Sequence, residues 1–193
     1  LLHVLATLGF EVVPISARVR LQRPRDFIPP RTHMFLRVEI ERESWLADVG
    51  VGGLSPTCAL RLDTSAEQPT PHEPRRIVRE EGRWFHQAHV GGEWTDVCEF
   101  TLEQMPPIDR EVANWFTSAH PASQFRNRLL VARSGPDAQR HTLLNTQLSW
   151  RSADGLERRE IADPDELLLV LHDVFGLRFA AGTRFACEAL PWR

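Results

Sequence analysis

Short segments of alternating apolar residues follow one another through the middle of this 193-residue chain, and most end at a charged or glycine-containing turn. Five of them are typical of β-strands: residues 32–40, 44–49, 75–79, 83–89 and 94–100. Turn-like residues follow at 80–82 and 91–92. Neighbouring strands with connections this short run antiparallel. The region is therefore predicted to form an antiparallel sheet or barrel.

Helical patterns lie on either side of this region. Four apolar residues at helical spacing open the chain, namely Leu1, Val4, Leu5 and Leu8. Gly9 then suits the end of a helix, and a strand interrupted at Pro14 is expected to continue to residue 21. Further strands are expected after residue 125, before a helix capped by Asp163 with Pro164 in its first turn. This order predicts an α+β fold.

The overall charge and the cysteines exclude several classes of protein. A net charge of −3 and an isoelectric point near 6.3 give no basic surface for nucleic acid or an anionic membrane. The three cysteines, Cys58, Cys98 and Cys187, are widely spaced, so neither a disulfide framework nor a zinc site is predicted. We therefore expect a cytoplasmic protein without a metal or a permanently bound cofactor.

The hairpin formed by residues 31–53 brings a histidine and an aspartate together. Its expected register gives one continuous apolar face, through the pairs Met34 with Val49, Leu36 with Ala47, and Val38 with Trp45. Phe35 then stands opposite Asp48, and His33 is a diagonal neighbour of Asp48 at a Cβ separation of about 7–8 Å or less. Such a carboxylate can orient an imidazole that activates a nucleophile. A buried structural hydrogen bond is the alternative interpretation.

Several stretches, taken in order, resemble the arylamine N-acetyltransferase family. RTHM and WLADVGVGG resemble its RTHxxL and DVGFGG strands, and LGFEVVPISARV resembles its helix-to-strand step. RWFHQAHVGGEWTDVCEFTLEQ, NWFTSAHPASQFRNRLLVAR and DPDELLLVLHDVFGL resemble later family segments. The resemblance covers nearly the whole chain. It implies acetyl transfer from acetyl-CoA to arylamines, arylhydrazines or N-hydroxyarylamines by a ping-pong mechanism with a Cys-His-Asp triad.

The same resemblance implies roles for individual residues. His33 would be the base and Asp48 the orienting acid, while the nucleophilic cysteine of the family motif would stand just before Leu1. None of the three cysteines present matches that position. The candidates for contact with substrate or CoA are Thr32, Val49, Gly50, Val51 and Gly52. Val51 replaces a family phenylalanine that lines the acceptor pocket, which implies room for a differently shaped acceptor.

The resemblance also implies three parts within a cysteine-protease-like acetyltransferase fold. Residues 1–9 would end the helix that carries the nucleophile, within a helical domain whose earlier part is missing. Residues 10–107 would form a β-barrel domain with His33 and Asp48, and residues 108–193 a shortened α/β lid domain. The chain alone is expected to be inactive, because it has no positioned thiol.

Two alternatives to this function stay open. The chain could belong to another Cys-His-Asp enzyme, such as a transglutaminase-like hydrolase, because unrelated reactions share the triad. It could also be a non-catalytic remnant that binds CoA or an aromatic ligand.

Other conspicuous side chains favour structural roles. His86 and His89 lie three apart on a strand, on opposite faces, and so cannot share a metal. His120 could line a cleft but is more typical of an incidental loop residue. The aromatic residues Trp45, Trp84, Trp94, Trp115 and Phe125 are more typical of a core than of pocket walls. The adjacent arginines at 75–76 and 158–159 are more typical of exposed strand charge than of a CoA phosphate site.

Overall fold

The computed structural model describes residues 1–21 and 23–192. The chain divides into two compact units, residues 1–114 and the residues from 115 onward. Each unit has its own antiparallel sheet and its own apolar core. The expected mostly antiparallel architecture with few helices is confirmed.

Up to residue 106, the described part of the first unit consists of one short helix and a seven-stranded sheet. The elements are α1 (Leu2–Thr7), β1 (Glu11–Val19), β2 (His33–Ile40), β3 (Glu43–Ala47), β4 (Leu60–Arg61), β5 (Arg75–Glu80), β6 (Arg83–Val90) and β7 (Glu93–Gln104). The strand order is β4-β3-β2-β1-β7-β6-β5, with every neighbouring pair antiparallel. β1 pairs with β2 on one side and with β7 on the other, and these two pairings join strands that are the farthest apart in sequence. β1 thus connects the β2–β4 half of the sheet to the β5–β7 half.

Gln68 links the two edges of this sheet. Its backbone exchanges two hydrogen bonds with Arg75 at the start of β5, at 2.7 and 2.9 Å. Its side-chain amide accepts from the Arg61 N–H of β4 at 2.8 Å and donates to the Arg61 carbonyl at 3.0 Å. The sheet is thus nearly closed into a barrel, and the groups that an open edge would leave unpaired are partly satisfied.

The interior of the barrel holds the core of the first unit. Its buried apolar residues come from all seven strands and two loops: Ile15, Ala17, Phe35, Leu46, Val51, Leu60, Leu62, Ile77, Ala88, Val97, Cys98 and Phe100. Phe35 and Leu46 lie on the opposite face of their hairpin from the apolar face expected above. Leu36 and Val38, on the expected face, are also buried. Both faces of the hairpin therefore carry buried residues.

Pro14 does not interrupt the first strand, contrary to expectation. β1 runs through it without a break, and Pro14 pairs with Leu36 of β2. The Pro14 carbonyl accepts from the N–H of Met105, just beyond the end of β7. The position of the missing proline N–H therefore faces β7, next to the point where the β1–β7 ladder shifts register after Ile15.

The second unit is a four-stranded meander beside a helix. Helix α2 (Pro107–Ala119) leads into it and is followed by α3 (Gln124–Asn127), β8 (Leu130–Ser134), β9 (Arg140–Leu144), β10 (Gln147–Ser152), β11 (Gly155–Glu160) and α4 (Pro164–Asp173). The sheet order is β11-β10-β9-β8. Leu143 and Leu148 of the sheet pack with Leu167 and Leu171 of α4 in a separate core.

The sequence signals for α4 are confirmed in atomic detail. Asp163 Oδ1 accepts from the N–H groups of Asp165 and Glu166 at 2.9 and 2.8 Å, and Pro164 occupies the first turn. The Glu166 carboxylate reaches back to the N–H of Ala162 at 2.7 Å. These bonds satisfy donors that the first turn of a helix otherwise leaves open. Within residues 1–21 and 23–192, no helix is long and apolar enough to cross a membrane.

The barrel closure gives the first testable prediction. Replacing Gln68 by Ala removes both side-chain bonds to the Arg61 backbone, so we expect the free energy of unfolding to fall by about 1–2 kcal/mol. Urea denaturation followed by tryptophan fluorescence measures this change. Gln147→Ala is the matched control: it loses one exposed 3.3 Å bond to Glu160 and should cost less than about 0.5 kcal/mol. Equal stability of the two variants would contradict the role of Gln68 in closure.

Candidate active site

His33 and Asp48 meet at the end of the β2–β3 hairpin, as the register predicted. The pairs Leu36 with Ala47 and Val38 with Trp45 are both present, and the ladder stops just before the level of Asp48. His33 is the first residue of β2, and Asp48 directly follows β3. The His33 Nε2 atom lies 3.1 Å from Asp48 Oδ2, and their side chains are 13% and 3% exposed. The two side chains form a close, nearly buried pair.

The two oxygens of Asp48 have different partners. Oδ1 accepts the N–H of Gly50 at 2.9 Å, while Oδ2 faces the imidazole. The Nε2–Oδ2 approach is off the direction of a well-aligned hydrogen bond, and neither atom has another hydrogen-bond partner in the described chain. The contact is therefore a short electrostatic one that fixes Nε2 toward the carboxylate. It leaves Nδ1 as the nitrogen available for proton transfer.

The residues predicted to contact substrate lie in two short segments beside this pair. Thr32, directly before His33, is half-buried, and Val49, Gly50 and Gly52 are exposed. Val49 is the most open, at 73% exposure. Val51 points the other way and is buried in the barrel core. Gly52 has a φ of +95°, a backbone conformation that favours glycine, and closes a turn with Ser55 through two hydrogen bonds.

Buried aromatic rings pack against the His33 imidazole inside the barrel. The His33 ring meets the edge of Phe35 at a centroid distance of 5.0 Å, and Phe35 in turn contacts Phe100 at 5.4 Å and His86 at 6.1 Å. Phe35 and His86 are completely buried. The candidate base thus rests on a packed interior, which limits the orientations open to its ring.

His86 is a neutral histidine inside this interior. The Nη1 of Arg75 donates to His86 Nε2 at 2.9 Å, and a guanidinium can only donate, so this nitrogen carries no proton. Burial lowers the pKa of His86 well below its usual value, and the charges of Arg75 and then His33 lower it further. The structural role expected for His86 is consistent with these contacts. His89 packs against Trp94 with ring centroids 5.1 Å apart.

None of the three cysteines is suited to act as nucleophile. Cys98 lies in the barrel core, where burial raises the pKa of its thiol well above the usual value and the charge of Asp48 raises it further. Cys58 is exposed, and partial burial of its thiol also raises its pKa. Cys187 belongs to the second unit, where its thiol donates to the Asn127 carbonyl at 3.3 Å. A raised pKa reduces the thiolate fraction that attacks a carbonyl.

The structure corrects two expectations about polar and aromatic side chains. Arg75 was expected to be exposed strand charge, yet it is 0% exposed and forms the centre of a buried hydrogen-bond network. Trp115 and Phe125 were expected in the core but are more than half exposed. Strand alternation could have signalled the burial of Arg75, because Ile77 two residues later faces the same interior. Nothing in the sequence suggested the carbonyl groups that accept from Arg75.

His120 has a local structural role. Its ring stacks on Phe116 at 4.6 Å and meets Trp115 at 5.6 Å, and Nδ1 accepts the N–H of Ala122 at 3.2 Å. These contacts shape the turn that leads into α3. Across residues 1–21 and 23–192, no group of three or more His, Cys, Asp or Glu side chains could hold a metal ion.

Known N-acetyltransferases are similar to this chain in sequence. A family model described as N-acetyltransferase matches residues 1–184. The arylamine N-acetyltransferase of Mycobacterium tuberculosis is 40% identical over 190 residues, which cover 96% of this chain and 67% of the relative. That of Escherichia coli is 36% identical over 176 residues, covering 91% of this chain and 62% of the relative.

Solved structures agree as well. The M. tuberculosis arylamine N-acetyltransferase superposes with a TM-score of 0.88 at 39% identity, over 96% of this chain and 69% of that one. The Mycobacterium marinum enzyme in complex with CoA gives 0.85 at 35% identity, over 90% of this chain and 65% of that one. The chain thus spans about two thirds of the length of these relatives. It belongs to the arylamine N-acetyltransferase family.

Proposed function

We propose that the protein transfers an acetyl group from acetyl-CoA to arylamines, arylhydrazines or N-hydroxyarylamines by a ping-pong mechanism. The observation that carries this proposal is the nearly buried His33–Asp48 pair, with Nδ1 of His33 left for proton transfer. The M. marinum relative, whose structure contains CoA, supports the donor. A Salmonella typhimurium relative, 34% identical, supports the acceptors, because it is named an arylamine N-acetyltransferase / N-hydroxyarylamine O-acetyltransferase.

In the first half-reaction, a cysteine thiolate attacks the carbonyl carbon of acetyl-CoA. His33 takes the thiol proton to form the thiolate, and Asp48 stabilises the resulting imidazolium at Nε2. The C–S bond to CoA then breaks, and the CoA sulfur leaves with the proton that His33 returns. The product is an acetylated cysteine and free CoA.

In the second half-reaction, the acceptor nitrogen or oxygen attacks the acetyl-cysteine carbonyl. His33 takes the proton that the acceptor loses, the thioester bond breaks, and the cysteine receives the proton back. Only one group therefore shuttles the proton in both halves. The segment with Val49, Gly50 and Gly52 is proposed to contact the acyl group or CoA, because these residues are exposed beside His33.

The nucleophile is proposed to be a cysteine that precedes Leu1 in the full-length protein. The family resemblance gives this position. The raised thiol pKa values of Cys58 and Cys98, and the hydrogen bond from the Cys187 thiol to the Asn127 carbonyl, support it by elimination. Residues 1–9 would end its helix, residues 10–107 would form the barrel domain, and residues 108–193 the lid domain. The relation to cysteine-protease-like folds and a cytoplasmic location stay predictions.

Substitutions in the His–Asp pair test the mechanism. In the full-length protein, His33→Ala should lower kcat/KM for acetyl transfer to a simple arylamine by about 10³-fold or more, because no other group can move the proton. Asp48→Asn should lower it by about 10²- to 10⁴-fold, because the imidazole loses its orienting charge. Release of free CoA thiol, followed by colorimetry, measures both.

His89→Ala is the matched control, because it removes a histidine from the same barrel without touching the pair. Its kcat/KM should stay within about threefold of the unaltered protein. Retained turnover in both His33→Ala and Asp48→Asn would rule out the proposed triad. Binding of CoA without any turnover in the unaltered protein would favour a non-catalytic descendant.

The segment of residues 1–193 alone should not transfer acetyl groups, because it has no thiol placed against Nδ1 of His33. Incubation with acetyl-CoA and an arylamine should give the same product as the no-protein blank. Blocking accessible thiols with iodoacetamide is the control for a surface reaction of Cys58. Turnover by this segment that disappears on alkylation would contradict the assignment of the nucleophile.

A further inference from the structure

Arg75 occupies an unusual place in the barrel for a charged residue. Its side chain is fully buried, at the start of β5, where the backbone pairs with Gln68 to close the sheet. One of its partners is a carboxylate: Nη2 lies 2.7 Å from Glu73 Oε1, which is itself mostly buried. The charge is therefore compensated, as a buried guanidinium requires. The remaining contacts are not needed for charge balance.

Those remaining contacts reach the loop that begins at Asp48. Nη1 donates to the Leu54 carbonyl at 2.8 Å, and Nη2 donates to the Ser55 carbonyl at 3.3 Å. No strand includes residues 48–59, so the backbone of this loop lacks a sheet ladder to hold it. Arg75 thus binds the middle of the loop that begins with Asp48.

The same guanidinium also reaches the support of the imidazole. Nη1 donates to Nε2 of His86, whose ring packs against Phe35, and Phe35 packs against the His33 ring. One rigid planar group therefore connects the interior beneath His33 with the loop that holds Asp48. A planar fork fixes several acceptors at once, which a single ammonium cannot do.

We propose that Arg75 is a positioning residue. It fixes the loop that begins with Asp48 relative to the rings of His86 and Phe35, on which the His33 ring packs. It acts through these groups and does not touch the reacting atoms. The inference rests on the proposed function, because the relative position of the His33 and Asp48 side chains affects the rate only if the pair is catalytic. A displacement of about 1 Å at such a pair can cost about 100-fold in rate.

Arg75→Met in the full-length protein tests the proposal by two measurements. We expect kcat for acetyl transfer to fall about 10- to 100-fold, with KM for acetyl-CoA changed less than about threefold. Amide hydrogen exchange of residues 49–55, read by mass spectrometry, should become about tenfold faster or more, because the loop loses its anchor. Unchanged kcat together with unchanged exchange would overturn the proposal.

Arg75→Lys separates anchoring from charge. Lysine keeps a positive charge for Glu73 but cannot reach the Leu54 carbonyl, the Ser55 carbonyl and His86 together. We expect a loss of kcat in the same direction, about tenfold, with faster exchange at residues 49–55. Wild-type kcat in the lysine variant would mean that charge balance alone matters, which would overturn the proposal.

Arg20→Met is the matched control for general destabilisation. Arg20 is 1% exposed in the same barrel and donates to Glu99 and to the carbonyls of Pro24 and Phe27, in a different loop. Its loss should speed exchange near residues 24–28 and leave residues 49–55 protected. Equal acceleration at residues 49–55 in both variants would overturn the specific role of Arg75.

Failure of the proposed function and failure of the proposal for Arg75 give different results. Full turnover in the His33→Ala variant would contradict the acetyl-transfer mechanism, whereas hydrogen exchange at residues 49–55 tests the anchoring by Arg75 without any substrate.

Discussion

Closure of the seven-stranded sheet is the constraint on which the rest of the first unit depends. β1 joins the two halves of the sheet, and Gln68 links β4 to the start of β5 through its backbone and its side chain. Closure encloses the face of the β2–β3 hairpin that carries His33 and Asp48. Without it, that face would be exposed to water, and the carboxylate would interact with the imidazole more weakly.

The enclosed interior is unusually polar for a barrel core. Arg75 and His86 lie among apolar side chains, but each charge has a partner: Glu73 and two carbonyls accept from Arg75, and His86 is neutral. A buried ion pair adds little net stability, although removing one partner is costly. These groups are therefore better explained by what they hold in place than by the stability that they add. They hold the loop after Asp48 and the Phe35 ring on which His33 packs.

Local patterns in the sequence predicted the structural features that depend on neighbouring residues. The hairpin register followed from alternation, and the start of α4 followed from Asp163 and Pro164, because both depend on neighbouring residues only. The groups that accept from the buried Arg75 are carbonyls about twenty residues away, and the continuity of β1 through Pro14 depends on where β7 ends. Such long-range partners leave no trace in a local window. The exposure of Trp115 and Phe125 was missed for the same reason, since a strand or helix pattern does not identify what covers each face.

The proposed assignment of His33 and Asp48 as base and orienting acid goes with a proposed nucleophilic thiol that is none of the three cysteines present here. Peptide mapping of the full-length protein, quenched in acid after reaction with acetyl-CoA alone, tests this account most directly. The account predicts one acetyl thioester, on a cysteine that precedes Leu1, and its loss in His33→Ala. An acetyl group on Cys58, Cys98 or Cys187, or the absence of any acetylated cysteine, would contradict it.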